Sequence, residues 1–210
     1  MDKSADFFDR YAGQWDRMRE THPGRLQFLL QLAALPAGGR VLDAGSGTGV
    51  LLPYLMEALG RQGKITAVDF STRMLAQAKA KFSSYPGIDF LCGNVLTVDL
   101  PAASYDAVVC LNFFPHLTTP ADKQAYAARA FAALRPGGRM VIMHDISREA
   151  VNGVHSRCEE TLSDRLPSGL DVSKLLQAAG FCDTVGLEDD VLYFVRGTKP
   201  NLMGKNKLHN

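Results

Sequence analysis

Short apolar runs alternate with amphipathic stretches along most of the chain. Because the runs are apolar at consecutive positions, they predict strands buried on both faces, as in a parallel sheet covered by helices. The alternation predicts a doubly wound α/β sheet. The strand candidates are RVLDA, KITAVDF, IDFLC, YDAVVCLNFF and GRMVIMHDI, and the helix candidates lie around residues 49–59, 72–82 and 121–134.

Two further strand-like runs follow each other closely near the end of the chain. The stretch FCDTVGLEDDVLYFVRG joins them through Glu188–Asp190, which leaves no room for a crossover helix. Strands joined so tightly pair in antiparallel fashion. We therefore expect a Rossmann-like, mostly parallel sheet of seven strands that ends in an antiparallel hairpin.

An amphipathic stretch precedes the alternating part of the chain. Residues 4–20 predict a helix with Phe7, Tyr11 and Trp15 on one stripe. This stripe is typical of a helix packed on the core. It is also compatible with a lid formed by residues 1–25, in which Tyr11 or Trp15 closes over a binding site.

A second amphipathic stretch, residues 147–162, follows the fifth strand. It belongs to a helical segment, residues 146–172, that we expect on the substrate side of the sheet. Ser147 is the predicted N-cap of its helix. The predicted apolar face of that helix consists of Val151, Cys158 and Leu162.

The composition is that of an ordinary globular protein, 46% hydrophobic and 21% charged with a formal net charge of +1. The length suits one domain, residues 1–198, with a flexible polar tail at residues 199–210. The charge provides no general attraction to nucleic acid or lipid, and no apolar run approaches membrane-spanning length. The opening MDKSADFFDR does not resemble a secretory signal, and the four cysteines lack paired spacing. We expect a cytoplasmic protein with reduced thiols and with neither nucleic acid nor membrane as partner.

Three glycines at alternate positions follow the first strand. Gly45, Gly47 and Gly49 precede a helical stretch, where glycine lets the backbone approach a ligand without interference from a Cβ atom. Asp69 ends the next strand, where a carboxylate can bind both hydroxyls of a ribose. The dinucleotide fingerprint GxGxxG would require glycine in place of Val50, and no Walker-type Gly-Lys-Ser/Thr follows. The loop therefore predicts a nucleoside site that needs no pyrophosphate.

VLDAGSGTG resembles the first motif of class I S-adenosylmethionine-dependent methyltransferases. AVDFSTRMLAQAKAK, LCGNVLTVDLPAASYDAVVCLNFFPHL and FAALRPGGRMVIMHD are similar to later segments in family order, so the resemblance covers residues 38–145, and the closing LLQAAGF with the hairpin also fits. FFDRYAGQWDRM is similar to the opening of ubiquinone/menaquinone-type and related small-molecule methyltransferases. The resemblance implies in-line transfer of the sulfonium methyl of S-adenosylmethionine to a small-molecule acceptor.

The resemblance also implies which residues bind the cofactor. The methionine part would meet the glycine loop and an acid near its ammonium group, the ribose would meet a carboxylate, and the adenine would lie between apolar side chains. Asn94 stands where the family often has Asp. The implied cofactor residues are Asp43, Gly45, Ser46, Gly47, Gly49, Asp69, Phe70, Met74, Asn94, Val95, Leu111 and Asn112.

The stretch MHDISREAVNGVHSRCEE carries the candidates for catalysis. His144 follows the fifth strand and His155 lies on a polar strip of the next helix, so either can act as general base toward a hydroxyl or thiol, or as an orienting donor. Ordinary surface roles for these groups stay open. A metal site formed by His116, His144 and His155 stays an alternative, but these histidines show no ligand spacing, so no metal is predicted. The candidate substrate contacts are Tyr11, Trp15, Phe113, His116, Arg148 and Asn152.

Two other interpretations stay open. One is a nicotinamide-dependent oxidoreductase, against which Val50 counts, and the other is a non-catalytic nucleoside- or partner-binding module of the same fold. NFFP stands where family members that methylate planar amines carry an Asn/Asp-Pro-Pro-aromatic run, so that target class loses support. The acceptor and the oligomeric state stay open, with a homodimer among the alternatives.

Overall fold

The computed structural model describes residues 3–201, so residues 202–210 of the predicted tail lie outside the described range. Seven strands form one sheet in the order β3-β2-β1-β4-β5-β7-β6, in which β7 runs antiparallel to both of its neighbours. The predicted mostly parallel sheet with a closing antiparallel hairpin is confirmed. The strands are β1 Arg40–Ala44, β2 Lys64–Asp69, β3 Ile88–Cys92, β4 Tyr105–Leu111, β5 Leu134–His144, β6 Cys182–Glu188 and β7 Tyr193–Thr198.

Helices cover both faces of the sheet. One apolar core lies between the sheet and α6, α7 and α8, and the other lies between the sheet and α3 and α4. The helices are α1 Lys3–Tyr11, α2 Trp15–Met18, α3 Pro23–Ala33, α4 Leu52–Leu59, α5 Thr72–Phe82, α6 Pro120–Ala133, α7 Arg148–His155 and α8 Gly169–Ala178. None of the helices within residues 3–201 is long and apolar enough to cross a membrane.

The central strands are buried because their side chains serve both cores in alternation. Val108 and Cys110 of β4 belong to the core under α6, while Ala107 and Val109 belong to the core under α3 and α4. Successive residues of a strand point to opposite faces, so a strand covered on both sides is apolar throughout. The edge strand β3 departs from this expectation, because none of its residues is fully buried.

The predicted N-terminal helix over residues 4–20 is wrong as a single element. α1 ends at Tyr11 and α2 begins at Trp15, with a turn at residues 12–14 that contains Gly13, a poor helix former. The break divides the predicted aromatic stripe. The Tyr11 ring packs 5.0 Å from that of Phe7, whereas the Trp15 ring packs 5.3 Å from that of Phe8.

The helix predicted over residues 147–162 is too long. Ser147 is the N-cap, as predicted, and its Oγ accepts a hydrogen bond from the Ala150 amide at 3.2 Å. α7 ends at His155, and a separate single turn of 3₁₀-helix follows at Glu159–Thr161. Because the chain turns between them, Leu162 is 53% exposed and does not share the buried face predicted for it.

α3 is a helix that the sequence analysis missed. It begins at Pro23, and its buried residues are Leu26, Leu29, Leu30 and Ala33. Proline in the first turn followed by apolar residues three and four apart is a readable helix signal. This helix completes the core on the second face of the sheet.

The site is positioned by a reversal in strand order. β1 lies between β2 and β4, so the chain leaves β1 toward one edge of the sheet and later returns to its other side. In doubly wound sheets a crevice opens at such a point, beyond the carboxyl ends of the strands.

Candidate active site

The loop after β1 bends sharply at the mouth of this crevice. Gly45, Gly47 and Gly49 all have positive φ, at +70°, +55° and +84°. A Cβ at Gly45 would lie 2.3 Å from Cδ2 of Phe113, whereas a Cβ at Gly47 would meet no atom within 4 Å. Glycine at Gly45 is thus required by both conformation and packing, and at Gly47 by conformation alone.

Asp43 places a carboxylate beneath this loop. The residue is 1% exposed, and no residue within the described range forms a hydrogen bond with its Oδ2. Burial, and to a smaller extent the Asp69 carboxylate, raises the pKa of Asp43 to about 7. A buried carboxylate without a donor is stabilised by a cationic group, so Asp43 makes this end of the crevice suitable for one.

Asp69, the last residue of β2, joins the glycine loop to α5. Its Oδ2 accepts a hydrogen bond from the Gly47 amide at 2.8 Å, and its Oδ1 accepts one from the Ser71 amide at 2.9 Å. Burial raises the pKa of Asp69, and these backbone hydrogen bonds oppose that rise. Each oxygen keeps capacity for another donor, so the carboxylate can also bind hydroxyl groups.

Two cavities meet at Gly45 and Phe70, and Asp69 lines the second of them. The loop cavity is lined by the glycine loop, Phe70, Met74 and the end of β4, and by Trp15 and Arg19 from the N-terminal segment. The edge cavity, about 510 Å³, is lined by Asp69, Asn94 and Val95 among others. The amide oxygen of Asn94 accepts from the Leu96 amide at 2.8 Å, so it already serves its own turn.

The end of β4 carries a strained residue. Asn112 has φ +55°, which is uncommon for a residue with a side chain and is found at functional sites. Its Nδ2 donates to Oδ1 of the buried Asp145 at 2.9 Å, and the same oxygen accepts from Nη2 of Arg19 at 2.9 Å. Asp145 thereby connects the ends of β4 and β5 to the N-terminal segment.

A third cavity lies beside these strand ends and is called the lid cavity. It measures about 540 Å³ and is covered by α1 and α2 on one side and by α7 on the other. Of these two cavities Tyr11 lines only the lid cavity, whereas Trp15 and Asn112 line both the lid cavity and the loop cavity.

The buried imidazole of His144 lines the lid cavity. His144 is 1% exposed, and neither ring nitrogen has a hydrogen-bond partner within the described part of the chain. Burial holds the pKa of His144 well below its usual range, and the nearby Arg19 charge acts in the same direction. The ring is therefore neutral at physiological pH, with one nitrogen able to donate and the other to accept.

His116 and His155 share one acidic residue. Nδ1 of His116 lies 2.5 Å from Oδ2 of the buried Asp164, and Nδ1 of His155 lies 3.3 Å from the Asp164 carbonyl oxygen. The two rings are 5.2 Å apart, and burial lowers the pKa of His155. Between residues 3 and 201, no group of three His, Cys, Asp or Glu side chains is arranged to hold a metal ion.

Arg148 and Asn152 lie outside all three cavities. Arg148 is paired with Glu188 of β6 and with Glu149. The Asn152 amide exchanges hydrogen bonds of 3.1 and 2.9 Å with the carbonyl and amide of Leu166. Both side chains hold the 146–172 segment in place.

The N-terminal segment is attached to the crevice by acids that the sequence analysis did not single out. Asp9 Oδ1 accepts from the Ser71 hydroxyl at 2.5 Å and from the Arg73 amide at 3.2 Å. Asp16 Oδ1 accepts from the Thr48 hydroxyl at 2.5 Å. A sequence feature that could have indicated these contacts is the spacing of Asp9 and Asp16, which are seven residues apart and each follow an aromatic residue. Arg19 and Asp164 were also missed, and no motif marks either of them.

The site matches known proteins in sequence. A family model described as a methyltransferase domain matches residues 41–138. A 2-phytyl-1,4-naphtoquinone methyltransferase from Thermosynechococcus vestitus is 30% identical over 141 residues, 65% of this chain and 61% of that protein. A carboxy-S-adenosyl-L-methionine synthase from a Shewanella species is 29% identical over 151 residues, 67% of this chain and 60% of that protein. The chain spans less than two thirds of the length of these curated relatives.

The fold agrees with these sequence matches. The crystal structure of a SAM-dependent methyltransferase from Aquifex aeolicus superposes with a TM-score of 0.71 and 21% identity, over 90% of this chain and 98% of that one. The chain therefore has the fold of a SAM-dependent methyltransferase, and its residues 41–138 match the model of a methyltransferase domain. The glycine loop, Asp43 and Asp69 lie at the carboxyl ends of β1 and β2, beside the strand-order reversal.

Gly45 and Gly47 of the glycine loop allow a matched comparison. We expect Gly47→Ala to fold with a loss of about 1–2 kcal/mol, because only backbone strain is added. Gly45→Ala should lose more than 3 kcal/mol or fail to fold, because its Cβ would overlap the Phe113 ring. Urea unfolding measures both, and equal losses would contradict this packing.

The raised pKa of Asp43 predicts a pH-dependent stability. A carboxyl whose pKa rises from about 4 to about 7 on folding loses stabilising free energy as the pH increases through that interval. Without ligand, Asp43→Asn should therefore melt at least about 2–4 °C above the wild type at pH 8, with the difference vanishing below about pH 5. The exposed Asp89→Asn on β3 is the control. A difference independent of pH would disprove the buried charge.

Proposed function

We propose that this protein transfers the methyl group of S-adenosylmethionine to a small-molecule acceptor. The observation that carries the proposal is the buried carboxylate of Asp43, whose Oδ2 has no hydrogen-bond partner in the described chain. It lies beneath a loop of glycines with positive φ, at the point where the strand order reverses. The cofactor has an ammonium group, a ribose and an adenine, and each part has a complementary group in this crevice.

The residues present fit the methionine part of the cofactor. Asp43 supplies the negative charge that an ammonium group requires, and its free Oδ2 is the acceptor. The open space beside Gly47 leaves room for a ligand against the backbone. Ser46, with a buried hydroxyl that lacks a partner in the described chain, adds a polar group at the same place.

The nucleoside part fits the loop cavity and the edge cavity, which meet at Phe70 next to Asp69. The carboxylate oxygens of Asp69 retain capacity for the ribose hydroxyls, while their backbone hydrogen bonds hold them in position. Phe70 and Met74 provide apolar surfaces for the adenine, and Val95 lies at the edge of the same space.

The reaction requires little covalent chemistry from the protein. Bound S-adenosylmethionine supplies an electrophilic methyl group on sulfur. The chain then has to orient the acceptor in line with that methyl, exclude water and remove a proton where the acceptor carries one. Trp15 and Arg19 line both the loop cavity and the lid cavity, so the N-terminal segment covers the place where donor and acceptor meet.

The lid cavity is the proposed acceptor site. Its lining is mostly apolar, with aromatic side chains from α1 and α2 on one side and Val151 and Val154 on the other. A 2-phytyl-1,4-naphtoquinone methyltransferase among the relatives is named for an apolar ring substrate, which agrees with this lining. We propose that residues 1–25 act as the lid, held closed by the contacts of Asp9 and Asp16.

The proposed compartment is the cytoplasm. Cys92, Cys110, Cys158 and Cys182 are all free thiols in the described chain, and a reducing compartment preserves such thiols. The homodimer stays a prediction.

The cofactor assignment is tested by calorimetry. We expect S-adenosylhomocysteine to bind and NAD not to bind. Asp69→Ala should weaken S-adenosylhomocysteine binding at least about tenfold, or 1.4 kcal/mol, because both the ribose contact and the loop anchor are lost. Asp89→Ala, which removes an exposed carboxylate from the neighbouring strand, should bind normally. Binding of NAD would favour the oxidoreductase alternative.

The transfer itself is tested with acceptors. S-adenosylmethionine carrying a deuterated methyl group is incubated with a panel of phenols, quinols and thiols, and mass spectrometry detects labelled product. We expect label in at least one acceptor together with S-adenosylhomocysteine. Cofactor binding without label in any acceptor would favour the non-catalytic binding module.

A further inference from the structure

His116 stands where the three cavities of the crevice meet. It is the histidine that lines the loop cavity, the edge cavity and the lid cavity together. Its side chain is 15% exposed, so the ring is mostly enclosed but still borders open space. A group at this junction adjoins both the donor and the acceptor side of the site.

One nitrogen of His116 is already committed. Nδ1 lies 2.5 Å from Oδ2 of Asp164, whose side chain is 6% exposed. An ionised carboxylate only accepts hydrogen bonds, so the neutral ring carries its proton on Nδ1. The lone pair is then on Nε2, which has no hydrogen-bond partner in residues 3–201.

We propose that His116 is the general base of this protein and that its acceptor is an aromatic ring bearing a hydroxyl group. Asp164 is the positioning residue that fixes the tautomer and stabilises the imidazolium. The proposal rests on the proposed function, since it requires the lid cavity to hold the acceptor.

The two histidines singled out by the sequence are less suitable bases. His144 is fully buried near the Arg19 guanidinium and has no carboxylate bonded to its ring, so an imidazolium there would be uncompensated. Nδ1 of His155 lies near the backbone carbonyl oxygen of Asp164 and not near its carboxylate. His116 alone among these three has a side-chain carboxylate within hydrogen-bond distance.

The aromatic class of acceptor follows from the walls of the lid cavity. Phe7, Phe8, Tyr11 and Trp15 provide rings from the N-terminal segment, and Phe8 packs edge-on against His116 with ring centroids 5.0 Å apart. Flat apolar molecules pack well among such rings, in offset or edge-to-face arrangements. An aromatic hydroxyl is also acidic enough for imidazole to deprotonate beside a carboxylate.

The proton and electron balance needs no further reactant. The hydroxyl proton passes to Nε2 of His116, and the freed oxygen electron pair forms the bond to the methyl carbon. The carbon–sulfur bond breaks and its electron pair stays on sulfur. The imidazolium returns its proton to solvent when the lid opens.

The test uses 4-nitrophenol, whose phenolate has its own visible absorption band. The full chain with saturating S-adenosylhomocysteine is titrated with the probe at about one pH unit below the pKa of the free phenol. We expect the bound probe to show the phenolate band. His116→Gln should reduce the band at least about tenfold, and Asp164→Asn should reduce it about threefold or more.

The matched control for Asp164→Asn is Asp89→Asn, which changes an exposed carboxylate on β3 outside the three cavities and should keep the band. Affinity for S-adenosylhomocysteine, measured by calorimetry, verifies that each variant is folded. A probe bound as neutral phenol, no binding of the probe, or a full band in His116→Gln would each overturn the proposal. Wild-type protein that binds S-adenosylhomocysteine but fails this test leaves the cofactor assignment standing, whereas absent cofactor binding removes both.

Discussion

The organisation of the site depends on a carboxylate that the fold buries without a partner. Asp43 is buried near the end of the central strand β1, and the Asp69 carboxylate adds to the effect of burial in raising its pKa. Burying an uncompensated charge destabilises the empty protein. A site that retains such a group gains free energy when a cation arrives, and the ammonium of the cofactor is that cation in our account.

The other contacts of the crevice keep this carboxylate available. Asp69 accepts hydrogen bonds from the backbone amides of Gly47 and Ser71, which ties the glycine loop to the start of α5. Phe113 packs against Gly45 at a distance that no side chain at that position would allow. At the far side, Asp145 links Asn112 and Arg19, so the acceptor side is fixed to the same strand ends.

The sequence predicted the sheet and the position of the glycine loop after β1 well, because both are built locally. Strand periodicity and a glycine loop are properties of consecutive residues, and β1 begins and ends where the pattern placed it. The contacts around the lid cavity were predicted less well, because they join distant parts of the chain. His116 and Asp164 are 48 residues apart in the sequence and Arg19 and Asp145 are 126 apart, so no local motif indicates either contact. The N-terminal helix and the helix after β5 were both predicted too long, because turns interrupt their amphipathic patterns.

The proton count of cofactor binding tests the central claim most directly. Calorimetric titration of S-adenosylhomocysteine at about pH 6.5, in buffers of different ionisation enthalpy, measures the protons exchanged on binding. A carboxyl with a pKa of about 7 is mostly protonated at that pH and must ionise to pair with an ammonium group. Our account predicts release of roughly half a proton or more per molecule bound. Binding with no release, or with proton uptake, would contradict it.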